Sequence, residues 1–139
     1  MGDLMERRIL AGLCALLLIL SGGCAGKKIK KEKLRDISFT VVTKEEIPEE
    51  LAEMIQEKGA RPFKLTFQDQ GMLYIAVGYG KQETSGHSIH VKDCYETPNA
   101  VYIHTNLIGP SPKEKSMEAE TTPYIVVKME NIEKIVVFQ

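Results

Sequence analysis

The sequence predicts a mainly β domain, an antiparallel β-sandwich or small barrel carrying one short N-terminal helix (α+β). Seven runs with strand-like apolar spacing crowd into residues 37–138, whereas only one stretch, from Pro48, has helical spacing. Strands and helices do not alternate along the chain, so a parallel sheet with crossover helices is not expected.

The domain opens with Ile37-Ser38-Phe39-Thr40-Val41-Val42, whose alternation predicts a strand with Ile37, Phe39 and Val41 on one face. Thr43-Lys44-Glu45-Glu46-Ile47 has the spacing of a capping box, but a helix started there would hold Pro48 in its interior, where the ring clashes with the preceding turn. The helix is therefore expected to start at Pro48. Glu49 and Glu50 complement its dipole, Leu51, Met54 and Ile55 form one apolar stripe, and Gly59 ends it.

Two hairpins and a final strand pair follow. Residues 62–68 place Phe63, Leu65 and Phe67 on one face, Asp69-Gln70-Gly71 turns the chain, and 72–79 answers. Residues 87–94 and 100–107 flank Glu96-Thr97-Pro98-Asn99, and after a polar loop the segments 123–129 and 132–138 complete the set. The stretch Leu73 to Val91, LYIAVGYGKQETSGHSIHV, is the part around which the rest is expected to pack.

Ahead of the domain, Arg7-Arg8, the twelve-residue uncharged run ILAGLCALLLIL at 9–20 and small residues at 21–23 have the order of a secretory signal. The run falls short of the roughly 20 residues that a transmembrane helix needs. LSGGCAG then resembles the lipobox of bacterial lipoproteins, in which Cys24 becomes the acylated first residue, although Ser21 stands where an aliphatic residue is usual. The organisation expected is a signal at 1–23, a lipid-anchored basic linker at 24–36 and a single β-rich domain at 37–139. This implies an extracytoplasmic, membrane-anchored location in the cell envelope.

Charge supports that division. Residues 27–35 carry six basic side chains against Glu32 alone, net +5, a cluster suited to anionic headgroups beside a lipid anchor. From Asp36 onward ten Lys or Arg face sixteen Asp or Glu, net −6, so the near-neutral total hides a basic tether and an acidic domain. With no aromatic platform among the basic residues, nucleic acid is not an expected partner. Of three cysteines, Cys14 lies in the signal and Cys24 at the lipidation site, leaving Cys94 alone as a strand residue acting as a small hydrophobe.

No enzyme class emerges from the residues. His87 and His90 face opposite sides of one strand; His90 and His104 are expected to meet across a hairpin centred on Thr97-Pro98, but two imidazoles without a third ligand make a poor zinc site. The loop GKQETSGH at 80–87 lacks the GxxxxGK[ST] order of a phosphate loop, and Ser85 and Ser88 lack a nucleophile elbow. Neither a cofactor nor a metal is expected. Instead, Gly78, Gly80 and Gly86 suggest a shaped loop held on a rigid strand pair, with Lys81, Thr84, Ser85, Gly86 and His87 as the candidate partner-binding residues.

The run from Tyr74 to Val91, followed by Gly109-Pro110 and by Thr122-Pro123-Tyr124-Ile125-Val126-Val127, resembles the C-terminal domain of the protease complex subunit PrcB family. The shared pattern is a strand entering a glycine-lysine turn, a Thr-Gly-Gly-Tyr type loop and a late Pro-Tyr before an apolar strand; Ser85 and His87 depart from it. Over residues 63 to 130 this resemblance implies an exported, often lipid-anchored, noncatalytic accessory subunit, in a family named for a member that associates with a surface serine protease and helps it mature. The implied partner is a protease or another envelope protein. Thr84 and Gly86 are also similar to the loop of chagasin-like cysteine-protease inhibitors, the alternative function together with a structural or solute-binding envelope lipoprotein.

Overall fold

The structure is a computed structural model that describes residues 32–113 and 116–139. Cys24, the expected signal at 1–23 and most of the basic segment lie outside the described residues. Lys33–Gln139 forms one compact unit. Its elements are β1 (Arg35–Asp36), β2 (Thr40–Val41), a 3-10 turn at Lys44–Glu46, α1 (Glu49–Lys58), β3 (Pro62–Asp69), β4 (Met72–Tyr79), β5 (Ser88–Glu96), β6 (Ala100–Ile108), β7 (Tyr124–Glu130) and β8 (Ile135–Phe138). They make two four-stranded sheets, β1-β5-β6-β8 and β2-β7-β4-β3. This is a mainly β sandwich with one short helix, as the apolar spacing predicted.

Strand β4 sits inside the second sheet between β3 and β7 and is buried on both faces. Leu73, Ile75 and Val77 enter the core between the sheets with Val101, Ile103, Cys94, Val127 and Met129. Tyr74 and Ala76 point the other way, into a second cluster with Leu51 and Ile55 of α1, Val42 and Val126. A strand sandwiched by a sheet and a helix must be apolar at successive positions, which explains why LYIAV does not alternate. Truncating Ile75 to Ala is expected to cost about 2–5 kcal/mol, because a fully buried side chain would leave a cavity in the intersheet core.

The helix begins where the sequence placed it. Pro48 is its N-cap, Gly59 its C-cap at φ 57°, and Leu51 and Ile55 are the buried stripe, each worth about 1.5–3 kcal/mol when fully removed from water. Thr43 to Ile47, which resembled a capping box, is absorbed into the 3-10 turn. At the β3–β4 hairpin, Gln70 at φ 49° and Gly71 at φ 76° form a two-residue connection with both central residues left-handed, as the right-handed strand twist favours.

Three expectations are corrected. The opening run 37–42 is not one strand: β1 pairs with β5 in the first sheet, β2 pairs with β7 in the second, and the chain crosses between them. Ile37 and Phe39 therefore pack in the intersheet core, while Val41 is exposed and Val42 turns toward the helix.

His90 does not face His104. The Thr97-Pro98-Asn99 turn is closed by the Thr97 hydroxyl, which accepts the N–H groups of Asn99 at 3.3 Å and Ala100 at 3.1 Å, and so sets Glu96 against Val101. A register shift between Val91 and Asp93 then puts Asp93 opposite His104 and His90 opposite Asn106. The sandwich is also not wholly antiparallel, because β8 joins β6 in parallel, with Ala100 opposite Ile135 and Ile103 opposite Phe138. Among the described residues no helix is long and apolar enough to cross a membrane.

Cys94 is buried in the intersheet core and unpaired, and burial pushes its thiol from the ordinary 9.0 up to about 11. The unfolded chain releases this proton near 9, the folded chain only near 11, so the unfolded state binds fewer protons between them. Stability should therefore fall as pH rises from about 9 to 11. In Cys94→Ala that part of the decline should be absent when denaturant midpoints are compared across the same pH range.

Candidate functional site

Two connections meet at one end of the sandwich. The first, 80–87, carries the chain from β4 in one sheet to β5 in the other; the second, 109–123, returns from β6 to β7. Both span the gap between sheets, so each is long and each must satisfy its own backbone groups. They do so largely through one another.

Gln82 and Thr121 form an isolated antiparallel bridge, the Gln82 N–H donating to the Thr121 carbonyl at 2.7 Å and the Thr121 N–H returning the bond at 3.0 Å. Further along, the Ser85 N–H donates to the Met117 carbonyl at 3.0 Å, and the Met117 N–H donates to Ser85 Oγ at 2.9 Å. The Thr121 hydroxyl donates to the Thr84 carbonyl at 2.9 Å, and His87 Nδ1 donates to the same carbonyl at 3.1 Å, which places the imidazole proton on Nδ1. Lys81 Nζ lies 3.1 Å from Glu120 and 3.8 Å from Glu83, and these carboxylates, Glu120 foremost, hold the ammonium above its ordinary pKa. The loop pair is a single hydrogen-bonded unit.

Its glycines have distinct duties. Gly80 at φ 75° and Gly86 at φ 86° occupy left-handed backbone, and a Cβ on Gly86 would stand 3.0 Å from Pro110 Cβ. Gly78 is different: it lies opposite Phe63, whose ring fills the space that a Cβ would take. The sequence grouped all three as conformational devices, whereas Gly78 is a packing position.

Of the candidate residues, the structure brings Lys81, Thr84, Ser85, Gly86 and His87 together with a second loop that sequence reasoning did not pair with the first. Met117 exposes 70% of its surface beside Ser85 and is the residue that spacing could not have found, since only the fold sets 117 against 85. Ser85 Oγ and His87 Nδ1 take separate backbone partners and do not form a nucleophile–base pair. Among the described residues no group of three or more His, Cys, Asp or Glu side chains is placed to hold a metal ion.

Beside this unit a groove of about 450 Å³ opens between α1 and the starts of β3 and β7. Ile47, Ile55, Phe63, Pro123 and Tyr124 give it apolar walls, Gly80 and Thr122 connect it to the loop pair, and Lys44 and Arg61 are its charged residues. Arg61 closes the end of α1, its Nε and terminal nitrogen donating to the Lys58 and Glu57 carbonyls at 3.2 and 3.0 Å. The end of the molecule thus offers polar loops, an exposed thioether and an apolar recess side by side.

Residues 73–130, which contain β4, both connections and the strands between them, match the model of the PrcB C-terminal family. Over these residues the chain is PrcB-like. No curated protein and no solved structure matches the chain. The matched PrcB segment begins at the buried strand and ends with β7, so it encloses the whole loop pair and leaves out α1 and β3.

Because the two loops are one hydrogen-bonded unit, Ser85→Ala should speed hydrogen exchange at the Met117 amide without moving the global melting temperature by more than a degree or so, since the lost bond is exposed. Gly86→Ala should instead cost about 1 kcal/mol or more, because it adds left-handed strain to the contact with Pro110.

Proposed function

We propose that this chain is a noncatalytic, lipid-anchored accessory protein of the cell envelope, which uses the joined loops 80–87 and 109–123 to hold a partner polypeptide. The observation that carries the binding role is the mutual hydrogen bonding of the loops, which sets the side chains of Thr84 and Met117 on a frame of paired backbone. A preformed frame spends less of its binding free energy on ordering. The likeness of residues 73–130 to the PrcB C-terminal family supports a place beside a protease complex, with the partner a protease or another envelope protein.

Anchoring rests on the sequence: the apolar run 9–20, the small residues after it, Cys24 and the basic segment 27–35. Cys24→Ala should release the protein from membranes or leave its signal uncleaved, and labelled fatty acid incorporated equally into that variant would refute the anchor. Neutralising residues 27–35 should weaken attachment more at low salt than at high salt, where screening already shortens the interaction.

Partner binding is tested with the anchored protein as bait in its own membrane fraction, with captured proteins identified by mass. The expected capture is a protease, zymogen or mature, or a defined envelope protein. Thr84→Ala, Ser85→Ala and His87→Ala combined should abolish it, with the core melting transition retained. Undiminished capture by the triple variant would move the binding role off this loop. Direct inhibition of papain-like enzymes at submicromolar concentration would favour the inhibitor alternative.

A further inference from the structure

The helix covers the outer face of one sheet only. The outer face of the other, β1-β5-β6-β8, carries no second layer among the described residues, and its composition changes along its length. Near the Thr97–Asn99 turn lie Tyr95 and Tyr102, stacked with centroids 5.3 Å apart, and Ile135, 70% exposed, next to them on β8. Leu34, 58% exposed, precedes Asp36, which pairs with Tyr95, and alternation puts both on this same face. Lys33 stands 5.5 Å over the Tyr95 ring. Toward the other end, where His90 faces Asn106 and Asp93 faces His104, the face turns polar.

The apolar half lies where the chain enters the unit, at Lys33 and Leu34, immediately after Lys27, Lys28, Lys30 and Lys31. Within the unit, Lys33 is paired with Asp36 at 2.9 Å and Arg35 with Glu96 at 2.7 Å, so these charges are close to balanced, and in the sequence the net positive charge of 27–35 comes from the lysines before them.

We propose that the Leu34–Tyr95–Tyr102–Ile135 half of this face docks on an anionic lipid surface. Two exposed aliphatics flanked by tyrosines and lysine match the chemistry of a headgroup boundary, where amphipathic rings and basic side chains are both at home. The inference rests on the membrane attachment proposed above. Its consequence is an orientation: β5 runs nine residues from Ser88 to Glu96, so the joined loops stand roughly 30 Å from the docked end, at about 3.3 Å per residue.

The chain has no tryptophan, so one can be introduced as a sole reporter. The full chain carrying Tyr102→Trp or, as control, His90→Trp is placed in vesicles of phosphatidylglycerol and brominated phosphatidylcholine. Tryptophan at 102 should be quenched several-fold more than at 90, and Leu34→Asp with Ile135→Asp should erase the difference; Ile135→Ser alone, at an exposed site, should reduce it. Equal quenching at 102 and 90 would overturn the docking. Shielding of the 102 reporter in detergent that deepens with protein concentration would assign the face to a second copy and overturn it too. The intact mass of the same sample, with or without acyl chains on Cys24, reports on the anchor separately, because a chain held through residues 9–20 presents the same domain to the bilayer.

Discussion

The whole architecture depends on β4 being dry on both faces. Leu73, Ile75 and Val77 require a second sheet on one side, and Tyr74 and Ala76 require the helix on the other. Three layers are therefore the smallest arrangement that satisfies this one strand. Everything else is arranged to supply it: β3 and β7 complete its ladders, α1 contributes Leu51 and Ile55, and the crossing segment around Ile37 and Phe39 closes the gap between sheets. Within the gap, the Tyr79 hydroxyl and Thr105 Oγ1 lie 2.7 Å apart, so two polar groups near the open end of the core satisfy each other instead of demanding water.

That constraint also explains where the two joined loops come from. Because β4 and β5 belong to different sheets, the segment between them cannot be a tight hairpin; it must bridge the sandwich, as must the return from β6 to β7. Two bridges at the same end, each with unpaired backbone groups, find each other. The joined loops are thus a by-product of sheet crossing, tied by backbone pairing at Gln82–Thr121 and Ser85–Met117.

Local signals were legible in the sequence wherever local physics decides the outcome. Pro48 and Gly59 bounded the helix, the alternation of Phe63, Leu65 and Phe67 fixed a face, and Gln70-Gly71 marked a hairpin. What failed to show was whatever depends on contacts distant in sequence. The break in 37–42 follows from a change of sheet between β1 and β2, invisible in residues that alternate well. The offset that separates His90 from His104 comes from one side chain, Thr97, closing its turn, and from a bulge at Lys92 that no composition signals. At the site, the glycines at 80 and 86 announced a shaped loop, but Met117 and Thr121 became part of it only through the fold, and Gly78 changed its meaning once Phe63 was found over it.

Glu96 sits where the two ends of the unit come together, held by Lys134 at 2.6 Å just ahead of β8 and by Arg35 in β1, and these cations, Lys134 foremost, keep its carboxyl below the ordinary range. A tug on the residues before Lys33 would therefore meet a mechanical fuse. β1 is held by two ladder pairs, this carboxylate and the flanking backbone bonds from Leu34 to Glu96 and Ile37 to Cys94, against seven or more pairs in the ladders of β4, so it is the strand expected to peel first. Freed as far as Asp36, with Ile37 and Phe39 still seated in the intersheet core, the strand would pay out slack at up to about 3.5 Å per residue, lengthening the segment ahead of the domain without opening the sandwich.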